Sequence, residues 1–335
     1  MKVKTYVKGV RMAIQLTNKI FFCNYWITYR CNSKCEFCKI WRDPNLQGVR
    51  DTKVSEAKKN LDDLKKMGVK IIDFTGGEPL LNKELPQILS YAKDLGFFIK
   101  LSTNGLIYPE KAQELKGLPN RIYFSLDTMN QNEYKKIRGV EGFDKLLDSI
   151  ELAKKIGQEI CLLYTVTDEN IKNIENIVNF CQKNRTTVYI HPCFHYFNNK
   201  ELDKKNISII KKFFWRPYVR MSLPQLEFHY RGGNDPENPS CRVGISTIDI
   251  SPDNCLTIPC FHKYVEKMEI KGNLISIYNS PKWHEHFKIA GRYDFCKNCT
   301  IDCYFGLSYN DRVSQYFFRQ NLSYFKNFIE ERRRK

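Results

Sequence analysis

The chain has 335 residues, 42 % hydrophobic and 27 % charged, enough for one large domain plus a smaller one around a substantial core. No apolar run approaches the ~20 residues of a membrane span, and MKVKTYVKGVRMAIQ at the N-terminus lacks an apolar core and a cleavage site, so the chain reads as cytoplasmic with no signal peptide. Thirteen cysteines in a reducing compartment point to metal or iron–sulfur ligation rather than disulfides, while the net charge of +17 is spread too evenly, apart from the terminal EERRRK, to assign a function.

In chain order, 21–29 (FFCNYWITY) is aromatic and β-branched and predicts a strand. TYRCNSKCEFCKIW (28–41) follows and carries Cys31, Cys35 and Cys38. Val54, Ala57, Leu61, Leu64 and Met67 keep helical spacing up to Gly68, and VKIIDFT (69–75) is a buried strand type ending in GGEP. The alternation continues with a helix through Leu85, Ile88, Leu89, Ala92 and Leu95, then a strand at 97–102. A short helix at 109–116 and a strand at 121–126 come next. A helix through Leu146, Ile150 and Ala153 precedes a strand at 159–166; one through Ile171, Ile174 and Ile177 precedes a strand at 186–191.

Six strands alternating with helices predict a parallel α/β sheet with right-handed crossovers, either an open doubly wound sheet or a partial barrel. Periodicity does not choose between them. In both, functional residues belong at the C-terminal strand ends. The pattern is lost from about 192 to 240, apart from a helix within 202–214. RGGNDPENPS (231–240) reads as a linker between a core domain, 1–230, and a second unit, 241–335. That unit has short strands near 245–250 and 255–258, then cysteines. Its tail, 308–331, places Val313, Phe317, Leu322, Phe325 and Ile329 near helical spacing.

The spacing C-x3-C-x2-C lets Cys31, Cys35 and Cys38 grip three irons of one cubane cluster. A [4Fe-4S] cluster normally takes four cysteines, and no Cys or His in the next dozen residues offers a fourth, so one iron would stay open. The same positions also suit a buried helical stripe, and a zinc site would want a fourth protein ligand.

With Phe37 preceding Cys38, this loop resembles the cluster loop of the radical S-adenosylmethionine (radical SAM) superfamily. Four further motifs follow in that family's order: Gly76-Gly77-Glu78-Pro79, then Ser102-Thr103-Asn104-Gly105, then Ser125-Leu126-Asp127, then Ile137-Arg138-Gly139 with Gly142-Phe143-Asp144. The resemblance favours a partial (β/α)6 TIM-like barrel. It implies a [4Fe-4S] cluster on Cys31, Cys35 and Cys38 that passes an electron to bound S-adenosylmethionine. Phe37, Gly76, Gly77, Glu78, Pro79, Ser102, Asn104, Ser125, Asp127 and Arg138 would surround that cofactor. Glu78 would face its amino group, and Arg138 would pair with its carboxylate. A one-electron donor of flavodoxin or ferredoxin type is implied as a partner.

The C-terminal cysteines, Cys241-x13-Cys255-x4-Cys260 and Cys296-x2-Cys299-x3-Cys303, resemble the SPASM and twitch extensions of the family, which hold auxiliary clusters. Cys255 stands where that pattern has Gly, and the second group is short. Six cysteines fit one auxiliary [4Fe-4S] cluster, on Cys241, Cys260, Cys296 and Cys299, with Cys255 or Cys303 as replacements. Structural zinc on the same thiols is the competing reading.

His284 and His286 form no clear catalytic pair. His191, Cys193 and His195 follow the sixth strand near the expected substrate mouth, where Cys193 is the candidate donor of a hydrogen atom or proton; packing under the second unit is its bland alternative. The expectation is a radical SAM enzyme acting on an unidentified substrate: a sugar, lipid, cofactor precursor or peptide. About twenty residues precede the first strand, too few for a peptide-recognition domain, which favours a small molecule. The rival is a zinc-binding, cysteine-rich nucleic-acid module, which leaves the strand-end motifs unexplained.

Overall fold

The computed structural model describes residues 20–194, 199–241, 243–305, 309 and 315–333. The N-terminal segment through Lys19, together with His195 and Val313, lies outside the described residues.

The expected alternation is present. Strands β1 (Phe22–Thr28), β2 (Ile71–Gly76), β3 (Phe98–Thr103), β4 (Arg121–Ser125), β5 (Ile160–Val166) and β6 (Thr187–Pro192) are connected through helices. These are α1 (Val54–Met67), α2 (Leu85–Asp94), α3 (Tyr108–Leu115), α4 (Gln131–Arg138), α5 (Phe143–Lys155) and α6 (Ile174–Lys183). All six strands pair in parallel in sequence order. The architecture is a partial TIM-like barrel whose sheet does not close.

The two faces of that sheet explain the period-2 pattern of the strands. Ile72, Phe74, Ile99, Leu101, Ile122, Phe124, Leu162 and Val188 are fully buried in the core beneath the helices. Burying each stabilises the fold by roughly 1.5–3 kcal/mol. The alternate positions include a polar set, Asp73, Thr75, Lys100, Ser102, Ser125, Thr165 and His191, with Leu163 among them. Here Lys100 Nζ lies 2.6 Å from Asp73 Oδ2. A helix such as α1 forms because Ala57, Leu61 and Leu64 share its buried face. It stops at Gly68, whose φ of 93° and amide bonds back to Leu64 and Lys65 make an αL cap.

Beyond β6 the chain forms α7 (Lys204–Lys212), β7 (Val219–Arg220) and α8 (Leu223–Tyr230), then β8 (Thr247–Ile250), β9 (Cys255–Pro259) and β10 (Tyr264–Glu269). The full strand order is β10-β9-β8-β1-β2-β3-β4-β5-β6-β7. Strand β8 lies parallel to β1, with Asn24 opposite Asp249. Residues on both sides of the 231–240 segment therefore share one sheet. β10 escaped the sequence reading because YVEKME is largely exposed and polar. Three more helices complete the described fold: α9 (Leu274–Tyr278), α10 (Pro281–Lys288) and α11 (Gln315–Arg333).

Helix α11 reverses the packing its spacing suggests. Its buried positions are Gln320, Ser323, Lys326 and Glu330, whereas Leu322 and Phe325 are exposed. Among the described residues no helix is long and apolar enough to cross a membrane.

Candidate active site

At the C-terminal ends of the strands the backbone, more than any side chain, seats the first cysteine loop. Gly77 N donates to Thr28 O and Glu78 N to Arg30 O, each at 2.8 Å. A Cβ on Gly77 would collide with the carbonyl oxygens of Tyr29 and Arg30, so the GGEP turn and the loop can approach this closely only with glycine there. From the other side, Lys34 N donates to Arg138 O at 2.8 Å and Glu36 N to Ile137 O at 3.0 Å. The last turn of α4 thus docks on the loop, and the αL residue Gly139 leaves room for Lys34.

Side chains complete the frame. Asn104 Nδ2 donates to Asn32 Oδ1 at 2.7 Å and to Ser33 Oγ at 3.0 Å. Trp41 Nε1 donates to the Cys35 carbonyl at 3.0 Å. Behind the loop, Trp26 stacks on Phe261 with ring centroids 3.7 Å apart, in a small core that also holds Tyr29, Ile40 and Leu46.

These contacts enclose a cavity of about 270 Å³. Cys31, Cys35 and Cys38 line it, as do the expected residues Phe37, Gly77, Ser102, Asn104, Ser125 and Arg138. Trp41, Thr75, Thr165 and His191 line it too and were not assigned a cofactor role from sequence. Strand parity was the available signal for Thr75, Thr165 and His191, because they share the inner face with Ser102 and Ser125. His191 Nε2 lies 3.1 Å from Thr165 Oγ1, and burial lowers its pKa to about 4, which keeps the ring neutral.

Gly76, Glu78, Pro79 and Asp127 are not among the lining residues. Both Glu78 oxygens are engaged: Oε1 accepts from Thr103 Oγ1 at 2.7 Å and Leu80 N at 3.1 Å, and Oε2 from Asn104 N at 2.7 Å. Burial lifts its pKa to about 7 against these donors. In this arrangement Glu78 latches the second strand end to the third. Asp127 is ion-paired with Arg138 and accepts from Thr165 N at 3.0 Å. Burial alone would lower the Arg138 pKa, but Asp127 and the Cys35 sulfur raise it overall, so the guanidinium stays charged. Arg138 Nη1 reaches Cys35 Sγ at 3.5 Å, and the guanidinium lies 5.6 Å from the centre of the Phe37 ring.

The donor chemistry fits an iron–sulfur cluster. Burial pushes the Cys31 thiol up to about 12 and Cys38 up to about 11, so both are neutral thiols near pH 7 by themselves and would ionise only when a metal takes the sulfur. Among the described residues no three His, Cys, Asp or Glu side chains are gathered closely enough to hold a single metal ion.

The second cysteine group is assembled from distant sequence. Cys241, Cys260 and Cys299 feel one another electrostatically, and Cys296 acts on both Cys241 and Cys299. Their thiols too are raised, by burial first. Cys255, at the start of β9, has Asp253, Lys267 and Glu269 for neighbours instead. Cys303 acts on Lys100 and Tyr304.

Sequence reasoning missed the organiser of this group. Asn234 is buried in the 231–240 segment; its Nδ2 donates to Gly291 O at 2.8 Å and Cys296 O at 3.1 Å, and its amide to Cys299 O at 3.0 Å. Its Oδ1 accepts from Ser240 N at 3.1 Å. In isolation an Asn in a Gly/Pro-rich run signals a turn.

Cys193 lies in a neighbouring cavity of about 390 Å³, with Glu36, Phe37, Lys136, Asp168 and Glu169. Phe37 borders both cavities. His284 and His286 belong to α10, where their Nδ1 atoms bond to Ser280 O and Tyr293 Oη, each at 2.9 Å.

A parallel partial barrel with three thiols at its C-terminal mouth defines the class, and residues 25–181 match the family model of the Radical SAM superfamily. Through this segment the chain is similar to the radical SAM superfamily, and the curated relatives it matches there are named as enzymes. A probable GTP 3′,8-cyclase of Sulfurisphaera tokodaii is 32 % identical over 160 residues, 46 % of this chain and 50 % of that protein. An Fe-coproporphyrin III synthase of Methanosarcina barkeri is 32 % identical over 163 residues, 48 % of this chain and 40 % of that protein. The chain thus spans about half, or less, of the length of these curated relatives.

Solved structures are similar over more of the chain. Streptococcus suis SuiB bound to S-adenosylmethionine has a TM-score of 0.67 at 15 % identity, covering 90 % of this chain and 76 % of that one. The structure described as anSMEcpe with bound AdoMet has a TM-score of 0.65 at 18 % identity, covering 94 % of each chain. At these identities the likeness is one of fold.

Proposed function

We propose that Cys31, Cys35 and Cys38 bind a [4Fe-4S] cluster, that S-adenosylmethionine binds beside it, and that the chain uses the pair to abstract a hydrogen atom from a substrate. Cys31, Cys35 and Cys38 would hold the cluster, which when bound would supply the one electron for reductive cleavage of S-adenosylmethionine and so the hydrogen-abstracting power of the site. The observation that carries the reading is the convergence of three thiols with polar groups from successive strand ends on one cavity. Ser102, Asn104 and Ser125 offer hydrogen bonds to a ribose and an amino acid, and Arg138 offers a fixed positive charge. Asp127 holds Arg138 and Glu78 holds the Asn104 backbone from behind. Closure of the site against water falls to Trp41, Phe37 and Phe194.

The charged cavity that shares Phe37 with this site receives the substrate. Burial raises the Cys193 pKa to about 12, which keeps a thiol S–H there, suited to returning a hydrogen atom to a substrate radical. Cys241, Cys260, Cys296 and Cys299 would hold a second cluster, which would supply a one-electron acceptor or donor near the substrate. The net charge of +17 suits an acidic electron donor of flavodoxin or ferredoxin type.

The test is anaerobic reconstitution followed by reduction with S-adenosylmethionine present. Slow release of 5′-deoxyadenosine is expected, with about eight irons per chain. Reduced, iron-loaded protein that fails to bind S-adenosylmethionine would sink the radical reading. Zinc in place of about four irons would remove the second cluster alone.

A further inference from the structure

Helix α11 lies inside-out relative to the hydrophobic effect. Its inward stripe is polar and fully used: Ser222 Oγ donates to Gln320 Oε1 at 3.2 Å and Leu223 N to Ser323 Oγ at 3.0 Å. Lys326 Nζ donates to Arg216 O and Val219 O, each at 3.1 Å, and to Glu330 Oε1 at 2.7 Å. Phe318 and Leu322, one turn apart, are left outside, 65 % and 39 % exposed. Trp215, next to the carbonyl that Lys326 grips, is 65 % exposed. With Phe325, 44 % exposed, Phe318 and Leu322 leave apolar side chains grouped on one face of the helix, the kind of exposure that marks an interaction surface.

The charges around it select the occupant. Both acids of the helix are neutralised by partners: Glu330 is buried against Lys326, and Glu331, half-buried, pairs with Arg121 and Arg220. Arg332 and Arg333 are exposed at the end of the same helix. A second copy would bring like charge against like, on chains already at +17. Residues 1–19 carry five Lys or Arg and no acid, so their charge opposes them as a cover as well. A Phe/Leu/Trp stripe edged by arginine matches a helix lying in the plane of an anionic lipid surface.

We propose that α11 and Trp215 form a docking face for an anionic membrane surface. Docking there would hold the chain at the bilayer without a span.

The experiment uses the full chain and extruded vesicles, either equal parts phosphatidylglycerol and phosphatidylcholine or phosphatidylcholine alone, read by co-sedimentation. Binding is expected to the anionic vesicles, weakened by salt. Phe318→Ser with Leu322→Ser should lower it at least about tenfold, with the thermal midpoint unchanged because both side chains are exposed. Arg332→Ala should lower it about fivefold. Absence of binding to anionic vesicles overturns the proposal, as does binding that survives the double substitution. A wild-type dimer that the double variant dissociates, without vesicle binding, would assign the face to self-association; capture of an acidic protein alone would assign it to that partner. Either result ends the lipid reading.

Discussion

The two cysteine regions are built in opposite ways. In the first, three thiols come from eight consecutive residues, and the barrel supplies the mould: Gly77, Glu78 and the end of α4 hold the loop by its backbone. In the second, the thiols come from positions spread between 241 and 299, and no short loop contains them. Asn234 draws their segments together by bonding main-chain groups at 240, 291, 296 and 299. A local motif can therefore be recognised by spacing alone, while a distributed site is defined by whatever folds its pieces to one place.

The sharpest way to separate the regions is to remove each. Cys31, Cys35 and Cys38 changed together to Ala should lose about four of about eight irons and all 5′-deoxyadenosine release. Cys241→Ala with Cys260→Ala should lose a similar amount of iron yet leave that release, measured without substrate, in place. Iron analysis and chromatography of the nucleoside check both, and equal loss of release from the two variants would break the distinction.

A smaller effect is expected from Gly77→Ala. The added methyl meets backbone oxygen rather than a side chain that can rotate away, so about 3 kcal/mol of stability should be lost. Denaturant unfolding measures it, and iron in the first site should fall with it. A value near zero would mean that the loop is not seated by this backbone contact.

The finest comparison pairs two asparagines. Asn104→Ala removes the side-chain bonds to Asn32 and Ser33, and Asn234→Ala removes the side-chain bonds to Gly291, Cys296 and Ser240 while keeping the main-chain bond to Cys299. Each should cost about 1–3 kcal/mol. The first should lower iron retention at the N-terminal site and the second at the C-terminal one. Loss from both sites in either variant would show that the sites fold as one unit rather than by separate hubs.

Much of this was written in local pattern. The six core strands, their helices and the first cysteine loop were legible because period 2, period 3.6, glycine caps and a compact motif are all short-range signals. Glu78 and Asp127 were singled out from sequence as cofactor contacts; in the structure their carboxyls bond to Thr103, Asn104 and Arg138 across strand ends, partners that no local pattern announces. β10 was missed because an exposed edge strand carries little apolar alternation.

By itself the sequence determined the parallel α/β core, the place of the cysteine loop after β1 and the glycines at Gly76 and Gly77, because backbone conformation and strand burial act on neighbours along the chain. The tertiary structure alone decided that β8 joins β1, that Asn234 bonds main-chain groups at 291, 296 and 299, and that α11 turns its polar side inward. Those outcomes depend on pairings between residues tens to hundreds of positions apart, where periodicity along one segment holds no information about its partner.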